Sequence, residues 1–381
     1  MIEENKDYKC ETGIEKTTVN MIKPVFNDEN SINIVFCPDN KYVKYFGVLL
    51  QSIIDNSNPD KKYDLLIFET DIENRNKKLL LNMLPENFSL RFFNITEYIS
   101  ENFGKLNFNV KKYWSISTFY RLFVPFITDG YKKLLYLDSD MCVNHNIDEL
   151  FEIDMRDKEL IAVRDTFSPI LDSNISRRIY MCEELGLNKP DEYFNAGMVL
   201  FNFGNIDIDK YRNSLKKAFE IKDLWFLDQD IMNIIFEDKT KLIHNRYNFM
   251  LDGIIYNKNF VDEISGEYKN NYVEAMGNPY IVHYSGGIKP WSTVSEEYSD
   301  IFWKYARKTP FYEEIIYTNT KTATLGRDVI KNAVNRHKIY LQYIRCKLLK
   351  ELTFGNKKEH YRNKVAKLKQ QITDYRKTLE E

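Results

Sequence analysis

The sequence predicts an α/β fold in which a mainly parallel, twisted sheet is flanked by helices. Up to Asp140, uninterrupted apolar runs alternate with segments of helical periodicity, and such runs are typical of parallel strands buried on both faces. The chain of 381 residues is 43% hydrophobic, which provides for one large core and an appendage. Folds of this class bind ligands beyond the carboxyl ends of their strands.

Strands and helices can be assigned in chain order. The predicted strands are INIVFC (32–37), YDLLIFET (63–70), SLRFFNI (89–95), KKLLYLD (132–138), LIAVRD (160–165), YFNAGMVLFNF (193–203) and PYIVHYSG (279–286). The predicted helices cover residues 42–54, 73–84, 116–127, 214–222 and 228–237. Residues 239–278 have poor periodicity and receive no assignment.

Three regions are expected, namely an N-terminal leader (1–30), a main domain (31–308) and a basic helical C-terminal extension (309–381). From residue 321 onward the chain has 16 Lys and Arg against 6 Asp and Glu, whereas the remainder is acidic, which argues against a nucleic-acid-binding core. An amphipathic helix is predicted over 325–352 and a very polar one over 361–379. Segment 321–352 therefore either contacts an anionic membrane or packs against protein.

Composition also indicates the cellular compartment in which the protein is expected. No stretch approaches the roughly 18 uncharged apolar residues of a membrane span, and the charged N-terminus lacks an apolar signal-peptide core. The five cysteines are odd in number, dispersed and without CxxC spacing, which fits reduced thiols. We therefore expect a cytoplasmic protein. Peripheral contact with the inner face of the membrane is one of the two alternatives for the basic segment, and packing against protein is the other.

Two aspartates lie one residue apart where the strand KKLLYLD ends. Side chains two apart point to the same side of an extended backbone, so Asp138 and Asp140 repel each other unless a cation lies between them. A divalent metal would satisfy both and leave positions free for the phosphates of a nucleotide substrate. Alternatively, Asp138 forms a turn and Asp140 is solvated. A phosphatase with Asp138 as its nucleophile is a third interpretation, but such enzymes need Thr or Val where Cys142 stands.

Polar residues beside other apolar runs favour the metal interpretation. In HYSGGIKPW (283–291), His283 is a candidate metal ligand, Gly286 permits close backbone approach and Lys289 offers a charge to a phosphate. A lone His and a Gly pair are each more often structural, so only their combination is informative. NAGMVLFN (195–202) and WFLDQDIMN (225–233) add Asn195, Asp228, Gln229 and Asp230, of which Asp228 can instead be a helix N-cap.

Six motifs, in their order and spacing, resemble the bacterial family 8 glycosyltransferases, which are retaining enzymes that use UDP-sugars and include lipopolysaccharide galactosyl- and glucosyltransferases. The motifs are IVFCPDNKY, SISTFYRL, LLYLDSDMCV, YFNAGMVLFN, LDQDIMN and HYSGGIKPW, and they span residues 32–291. The resemblance implies a GT-A fold, with a nucleotide-sugar site at the strand carboxyl ends and Mn²⁺ (or Mg²⁺) on the diphosphate. It also implies UDP-galactose or UDP-glucose as donor and a glycan or lipid-linked saccharide as acceptor, in lipopolysaccharide or cell-surface polysaccharide biosynthesis.

Matching positions in the motifs imply roles for individual residues. Asp138, Asp140 and His283 would bind the metal, and Gly286 and Lys289 would contact the diphosphate. In the first motif, Asp39 would bind the uracil, Tyr42 would stack on it and Cys37 belongs to the same donor-binding segment. The family's usual double aspartate is here Asp39-Asn40, and Pro38 replaces a small residue.

The resemblance also implies a reacting centre. Its catalytic candidates are Arg121, Asp165, Asn195, Asp228 and Gln229. Retention proceeds either through a covalent intermediate or by attack of the acceptor on the face from which UDP leaves. Because a carboxamide is a poor nucleophile, we expect Gln229 and Asp228 to stabilise positive character at the sugar carbon during front-face attack. The alternative function is a catalytically inactive nucleotide-sugar-binding or scaffold protein of the same fold.

Overall fold

The fold is given by a computed structural model, which describes residues 21–26, 30–104, 116–221, 223–292, 297–320 and 356–377, together with positions 342, 345 and 349. The chain divides into two compact units, Met1–Tyr312 and Glu313–Glu381. Apart from three positions, the helix predicted over 325–352 lies outside the described residues, as does most of the leader. Membrane contact through 321–352 therefore stays a prediction.

Ten strands form two sheets. The strands are β1 (Ile32–Phe36), β2 (Tyr63–Glu69), β3 (Phe88–Asn94), β4 (Lys133–Leu137), β5 (Met141–Val143), β6 (Leu160–Arg164), β7 (Phe194–Asn202), β8 (Thr240–Ile243), β9 (Phe249–Met250) and β10 (Ile281–His283). The main sheet has the order β3-β2-β1-β4-β7-β6-β8, and β5-β10-β9 form a small second sheet. Strands β1 and β2 are buried along their whole length, as predicted for strands covered on both faces.

Helices flank the sheets. In the first unit they are α1 (Val43–Asp55), α2 (Asn74–Leu81), α3 (Thr96–Phe103), α4 (Val124–Ile127), α5 (Ile175–Ile179), α6 (Ile208–Ala218), α7 (Asp228–Phe236), α8 (Asp252–Tyr256), α9 (Phe260–Glu263), α10 (Gly266–Gly277) and α11 (Ser299–Ala306). The second unit contains α12 (Asn356–Lys377), which confirms the polar helix predicted near the C-terminus. Within the described part of the chain, no helix is both long and apolar enough to cross a bilayer.

The α/β class and all seven predicted strands are confirmed, with local differences. Strand β7 runs antiparallel to both of its neighbours in an otherwise parallel sheet. The segment predicted as one helix over 116–127 is a 3-10 helix over Ile116–Phe123 and α-helical only afterwards. Pro125 lacks the N–H that an α-turn would need to reach the Arg121 carbonyl. Helix α6 begins before its predicted start because Asp207 caps the Lys210 N–H at 3.0 Å.

Pairing between strands brings distant motifs to one edge. Strand β4 ends at Leu137, and the Asp138 N–H continues the β4–β7 pairing by donating to the Gly197 carbonyl at 2.8 Å. In the small sheet, antiparallel pairing places His283 opposite Met141, while parallel pairing places it beside Met250. The Asp-x-Asp turn and the HYSGG segment are therefore neighbours, although well over a hundred residues separate them.

Strand β7 contains an irregularity next to this edge. Ala162 on β6 pairs with Val199, but the next residue, Val163, pairs with Asn195, so the register shifts. The extra residues on β7 include Ala196 and Gly197, whose N–H groups are thereby released from the ladder with β6. Bulges of this kind are common beside active sites, where they redirect polar groups.

Candidate active site

The candidate metal ligands converge at the end of β4. One ligand atom from each of Asp138, Asp140 and His283 lies within 4.8 Å of the other two. Nε2 of His283 is 3.4 Å from Asp140 Oδ1 and 3.9 Å from Asp138 Oδ2. Two carboxylates and an imidazole are a donor set suited to Mn²⁺, and a strictly oxygen-ligated Mg²⁺ site would not need the imidazole. The residues present therefore fit a divalent cation.

Lys289 faces this group from the last motif. Its ammonium lies 2.5 Å from Asp140 Oδ2 and donates to the Tyr284 carbonyl at 2.6 Å. Burial alone would raise the pKa of Asp140, but Lys289 and His283 hold it well below its ordinary value. Asp140 is thus ionised at neutral pH and available as a ligand.

Arg121 binds the other aspartate and connects it to the reacting-centre candidates. This side chain is 5% exposed, and its Nη2 is 2.7 Å from Asp138 Oδ1 while its Nε is 2.8 Å from Asp228 Oδ2. Nη1 donates to the Ala196 carbonyl at 2.6 Å, and the guanidinium lies over the Tyr136 ring. The donors of Arg121 are engaged by these protein acceptors, so the side chain holds the two carboxylates in place. Its role at the reacting centre stays a prediction.

Asp165, Asn195 and Gln229 form one hydrogen-bonded cluster. The Asp165 Oδ2 atom accepts from Asn195 Nδ2 at 3.2 Å and from Gln229 Nε2 at 3.1 Å. Gln229 Oε1 accepts from the Ala196 N–H at 3.1 Å and from Asn195 Nδ2 at 3.0 Å. The structure thus brings together three of the catalytic candidates and engages both the oxygen and the nitrogen of the Gln229 amide.

The electrostatics of this region are dominated by burial. Burial, together with a smaller effect of the nearby Asp252 carboxylate, raises the pKa of Asp165 to about 6. Burial also raises the pKa of Asp228 to about 6, although Arg121 opposes the shift. Asp228 additionally accepts from the Thr118 hydroxyl at 2.9 Å. Carboxyl groups with strongly perturbed pKa values are a feature of functional sites.

The first motif lies next to the last one. Asp39 Oδ1 accepts from the Tyr42 N–H at 2.8 Å and so organises the start of α1. The Tyr42 ring meets Trp291 edge-on at 6.3 Å between centroids, and Tyr45 stacks on Trp291 at 3.9 Å. Cys37 is buried at the end of β1, and burial raises the pKa of its thiol.

The side chain of Tyr256, from α8, packs against the glycine pair of the last motif. Gly286 has a φ of +79°, and a β-carbon there would stand 2.9 Å from the Tyr256 ring. The Tyr256 hydroxyl accepts from the Gly287 N–H at 2.6 Å. Glycine at 286 is therefore required both by its backbone angle and by the approach of Tyr256.

Several residues at the site were not anticipated. Thr118, Tyr136, Asn248, Asp252 and Tyr256 all contact candidate residues or their immediate neighbours. Three of them lie in the segment 239–278, on elements of four or five residues that are too short to produce a periodic signal. Thr118 lies inside a motif, but nothing in the sequence distinguishes its hydroxyl from those of neighbouring serines.

The site thus combines an Asp-x-Asp turn with a distant histidine at the carboxyl edge of a mostly parallel sheet. The chain belongs to glycosyl transferase family 8, whose profile matches residues 33–295. Glycosyltransferase GlyB of Streptococcus pneumoniae is 28% identical over 285 residues, which are 72% of this chain and 62% of GlyB. The chain thus spans about three fifths of that relative.

Two further proteins resemble the chain. The lipopolysaccharide 1,3-galactosyltransferase of Salmonella typhimurium is 23% identical over 341 residues, covering 85% of this chain and 93% of that enzyme. Among solved structures, the bifunctional glycosyltransferase WbbM superposes with a TM-score of 0.68 at 27% identity, over 79% of this chain and 53% of WbbM. The predicted family and the GT-A fold are confirmed.

Proposed function

We propose that the protein is a metal-dependent, retaining hexosyltransferase that moves galactose or glucose from a UDP-sugar to a glycan or lipid-linked acceptor. The observation that carries this proposal is the convergence of Asp138, Asp140 and His283 within 4.8 Å at the carboxyl edge of the sheet. Membership of family 8 and the similarity to a lipopolysaccharide galactosyltransferase support the choice of donor and acceptor.

Asp138, Asp140 and His283 would hold the cation against the donor diphosphate. A bound Mn²⁺ would stabilise the negative charge that develops on departing UDP. Lys289 would add a second positive charge and Gly286 a close backbone approach, while Asp39, Tyr42 and Cys37 would form the nucleotide end of the site. In this arrangement Lys289 exchanges Asp140 for a phosphate oxygen when the donor binds.

The contacts of Asp228 and Gln229 favour front-face attack over a covalent intermediate. Asp228 is held by Arg121 at 2.8 Å and by Thr118 at 2.9 Å, so its carboxylate is not a free nucleophile. Gln229 is a carboxamide whose oxygen already accepts two hydrogen bonds. Both groups would instead stabilise positive character at the sugar carbon, with Asp165 and Asn195 orienting the Gln229 amide.

Donor hydrolysis tests the proposal without knowledge of the acceptor. The protein is incubated with UDP-galactose or UDP-glucose and Mn²⁺, and the UDP released is measured over time. Slow release is expected with one of the two donors, and EDTA should stop it. A variant with Asp138→Asn and Asp140→Asn should show the rate seen in EDTA, whereas replacing the exposed Asp60 by Asn should change nothing.

Three outcomes contradict parts of the proposal. Release that persists in EDTA would remove the metal assignment. Release of UDP from neither donor, together with tight UDP binding, would identify the non-catalytic alternative. Phosphate trapped covalently on Asp138 would instead establish a phosphatase.

A further inference from the structure

We infer that Asn248 is a positioning residue that holds His283 in the tautomer whose Nε2 carries no hydrogen and faces Asp138 and Asp140. The inference rests on the proposed function, because it takes His283 as a metal ligand. Asn248 also joins that ligand to the residues expected around the donor sugar, so the two halves of the site share one hydrogen-bonded chain.

Strand pairing places Asn248 beside the imidazole. It is the last residue of the 3-10 helix Asn245–Asn248 and precedes β9, which pairs with β10 so that Met250 is opposite His283. Its side chain is fully buried, and its Oδ1 lies 2.9 Å from His283 Nδ1. A buried amide must satisfy its donor and acceptor inside the protein, so its orientation is strongly constrained.

Backbone N–H groups fix the direction of this hydrogen-bonded chain of amides, because a backbone N–H can only donate. The Gly197 N–H lies 2.9 Å from one terminal atom of the Asn195 amide, and that atom must be the oxygen because an N–H donates. The other terminal atom is then the nitrogen, which faces Asp165 at 3.2 Å. A second backbone donor, the Ala196 N–H, fixes the Gln229 oxygen in the same way, which leaves the Gln229 nitrogen to face Asp165.

The orientation of the Asn195 amide then determines the orientation of the Asn248 amide. The Asn195 oxygen accepts hydrogen bonds only, so the Asn248 atom 3.0 Å away from it must be the amide nitrogen. The Asn248 oxygen consequently faces His283, and Nδ1 of the imidazole must carry the hydrogen that this oxygen accepts. A neutral imidazole with hydrogen on Nδ1 has its lone pair on Nε2, which is the atom turned toward the two aspartates.

Two consequences follow for the site. The imidazole needs no tautomer change to bind a cation, and its ring orientation is set by a buried partner, as is usual for metal-binding histidines. The same hydrogen-bonded chain contains Asn195, Gln229 and Asp165, so displacement of the sugar-side amides would also disturb the metal ligand. Asn248 contributes through His283 and does not itself reach the metal.

Three variants separate these roles. Asn248→Leu removes both the acceptor for His283 and the donor to Asn195. Asn248→Asp keeps an acceptor for His283, removes the donor to Asn195 and introduces an ionisable carboxyl group. Asn245→Leu is the matched control, because Asn245 lies on the same 3-10 helix and is also buried, at 3% exposure.

Mn²⁺ alone is the probe, and its affinity is measured by titration with detection of free Mn²⁺ by electron paramagnetic resonance. Asn248→Leu should weaken Mn²⁺ binding by about 10- to 100-fold, the usual loss when such a partner is removed. Asn248→Asp should stay within a few fold of wild type in Mn²⁺ affinity and still transfer sugar more slowly, because its link to Asn195 is lost. Asn245→Leu should bind Mn²⁺ like wild type.

The tautomer has its own readout, which requires neither metal nor activity. Nitrogen NMR of histidine-labelled protein without metal should show hydrogen on Nδ1 of His283 in wild type and in Asn248→Asp, and mixed tautomers in Asn248→Leu. Hydrogen on Nε2 in the wild type would overturn the inference, and so would unchanged Mn²⁺ affinity in Asn248→Leu. If that variant does not fold, loss of Mn²⁺ binding in Asn248→Asp overturns it. Failure of the wild type itself to bind Mn²⁺ would instead contradict the proposed metal site.

Discussion

Gly197 and His283 are in direct contact, and no side chain fits between them. A β-carbon at position 197 would stand 2.5 Å from His283 Cε1 and 2.8 Å from Asp138 Oδ2. Gly197 therefore does not supply backbone flexibility at this point of β7. It supplies the space in which two candidate metal ligands approach each other.

Replacing Gly197 by Ala should accordingly damage the metal site more than the fold. The added methyl group must displace His283 or Asp138, and a displacement of that size should lower Mn²⁺ affinity by about 10-fold or more. Overpacking should lower the free energy of unfolding by about 1–3 kcal/mol. Gly204→Ala is the control, since a β-carbon there meets only Asn202 Oδ1 at an ordinary 3.5 Å. Equal Mn²⁺ affinity in the two variants would contradict this account.

Arg121 should prove essential for stability as well as for activity. Removing its charge in Arg121→Met leaves Asp138 and Asp228 facing each other without their shared cation, and breaking a buried ion pair costs about 3–5 kcal/mol. Urea denaturation measures this loss. The double variant Arg121→Met, Asp228→Asn should recover part of it, because the uncompensated buried charge is gone. If the loss in the double variant equals the sum of the losses in Arg121→Met and Asp228→Asn, the two residues are not coupled.

The stability of the metal-free protein should depend on pH through Asp228. Burial raises the pKa of this carboxyl from 3.8 to about 6 in the folded state. The folded protein therefore binds a proton at Asp228 more tightly than the unfolded chain does. The corresponding stabilisation is complete below about pH 4 and is lost as the pH rises through about 6, which amounts to about 3 kcal/mol.

Asp228→Asn removes this titration. In EDTA, the free energy of unfolding of the variant relative to wild type should therefore increase between about pH 4 and pH 6 and then level off. Asp60→Asn, at an exposed position, provides the comparison. A difference that stays constant with pH would show that Asp228 titrates normally.

Gln229→Ala should lower kcat far more than it changes donor binding. The side chain makes no contact with Asp138, Asp140 or His283 among the hydrogen bonds described, whereas it orients Asp165 and the amide of Asn195. Loss of an oriented dipole at a reacting centre typically costs on the order of 10²-fold in kcat. Initial rates over a range of UDP-sugar concentrations separate kcat from KM, and turnover near wild type would exclude Gln229 from the reaction.

The C-terminal segment carries an independent prediction. Because residues 321–381 contain 16 Lys and Arg against 6 Asp and Glu, their removal should weaken binding to vesicles that contain anionic lipid. UDP-sugar hydrolysis should be retained. Co-sedimentation with anionic and with neutral vesicles measures the effect. Loss of soluble expression on deletion would instead support packing of this segment against protein.

The sequence predicted those parts of the site that depend on strand periodicity and on ordered motifs. Asp138 and Asp140 follow a buried strand, and the position of His283 after another apolar run marked it as their partner. Asn248 and Tyr256 escaped prediction because they reach the site from very short elements, and their contacts depend on pairing between β9 and β10. The burial of Arg121 between two carboxylates was not predicted either, because it is a property of tertiary packing alone.

Because of the shifted register between β6 and β7, main-chain N–H groups orient two side-chain amides of the site. The hydrogen bonds that orient Gln229 and Asn195 come from the main chain at Ala196 and Gly197, so almost any codon change at position 196 would preserve the donor there. Only proline lacks that N–H. The orientation of the Gln229 and Asn195 amides is therefore set by the path of the backbone, and a change of side chain at position 196 leaves the N–H that orients Gln229 in place.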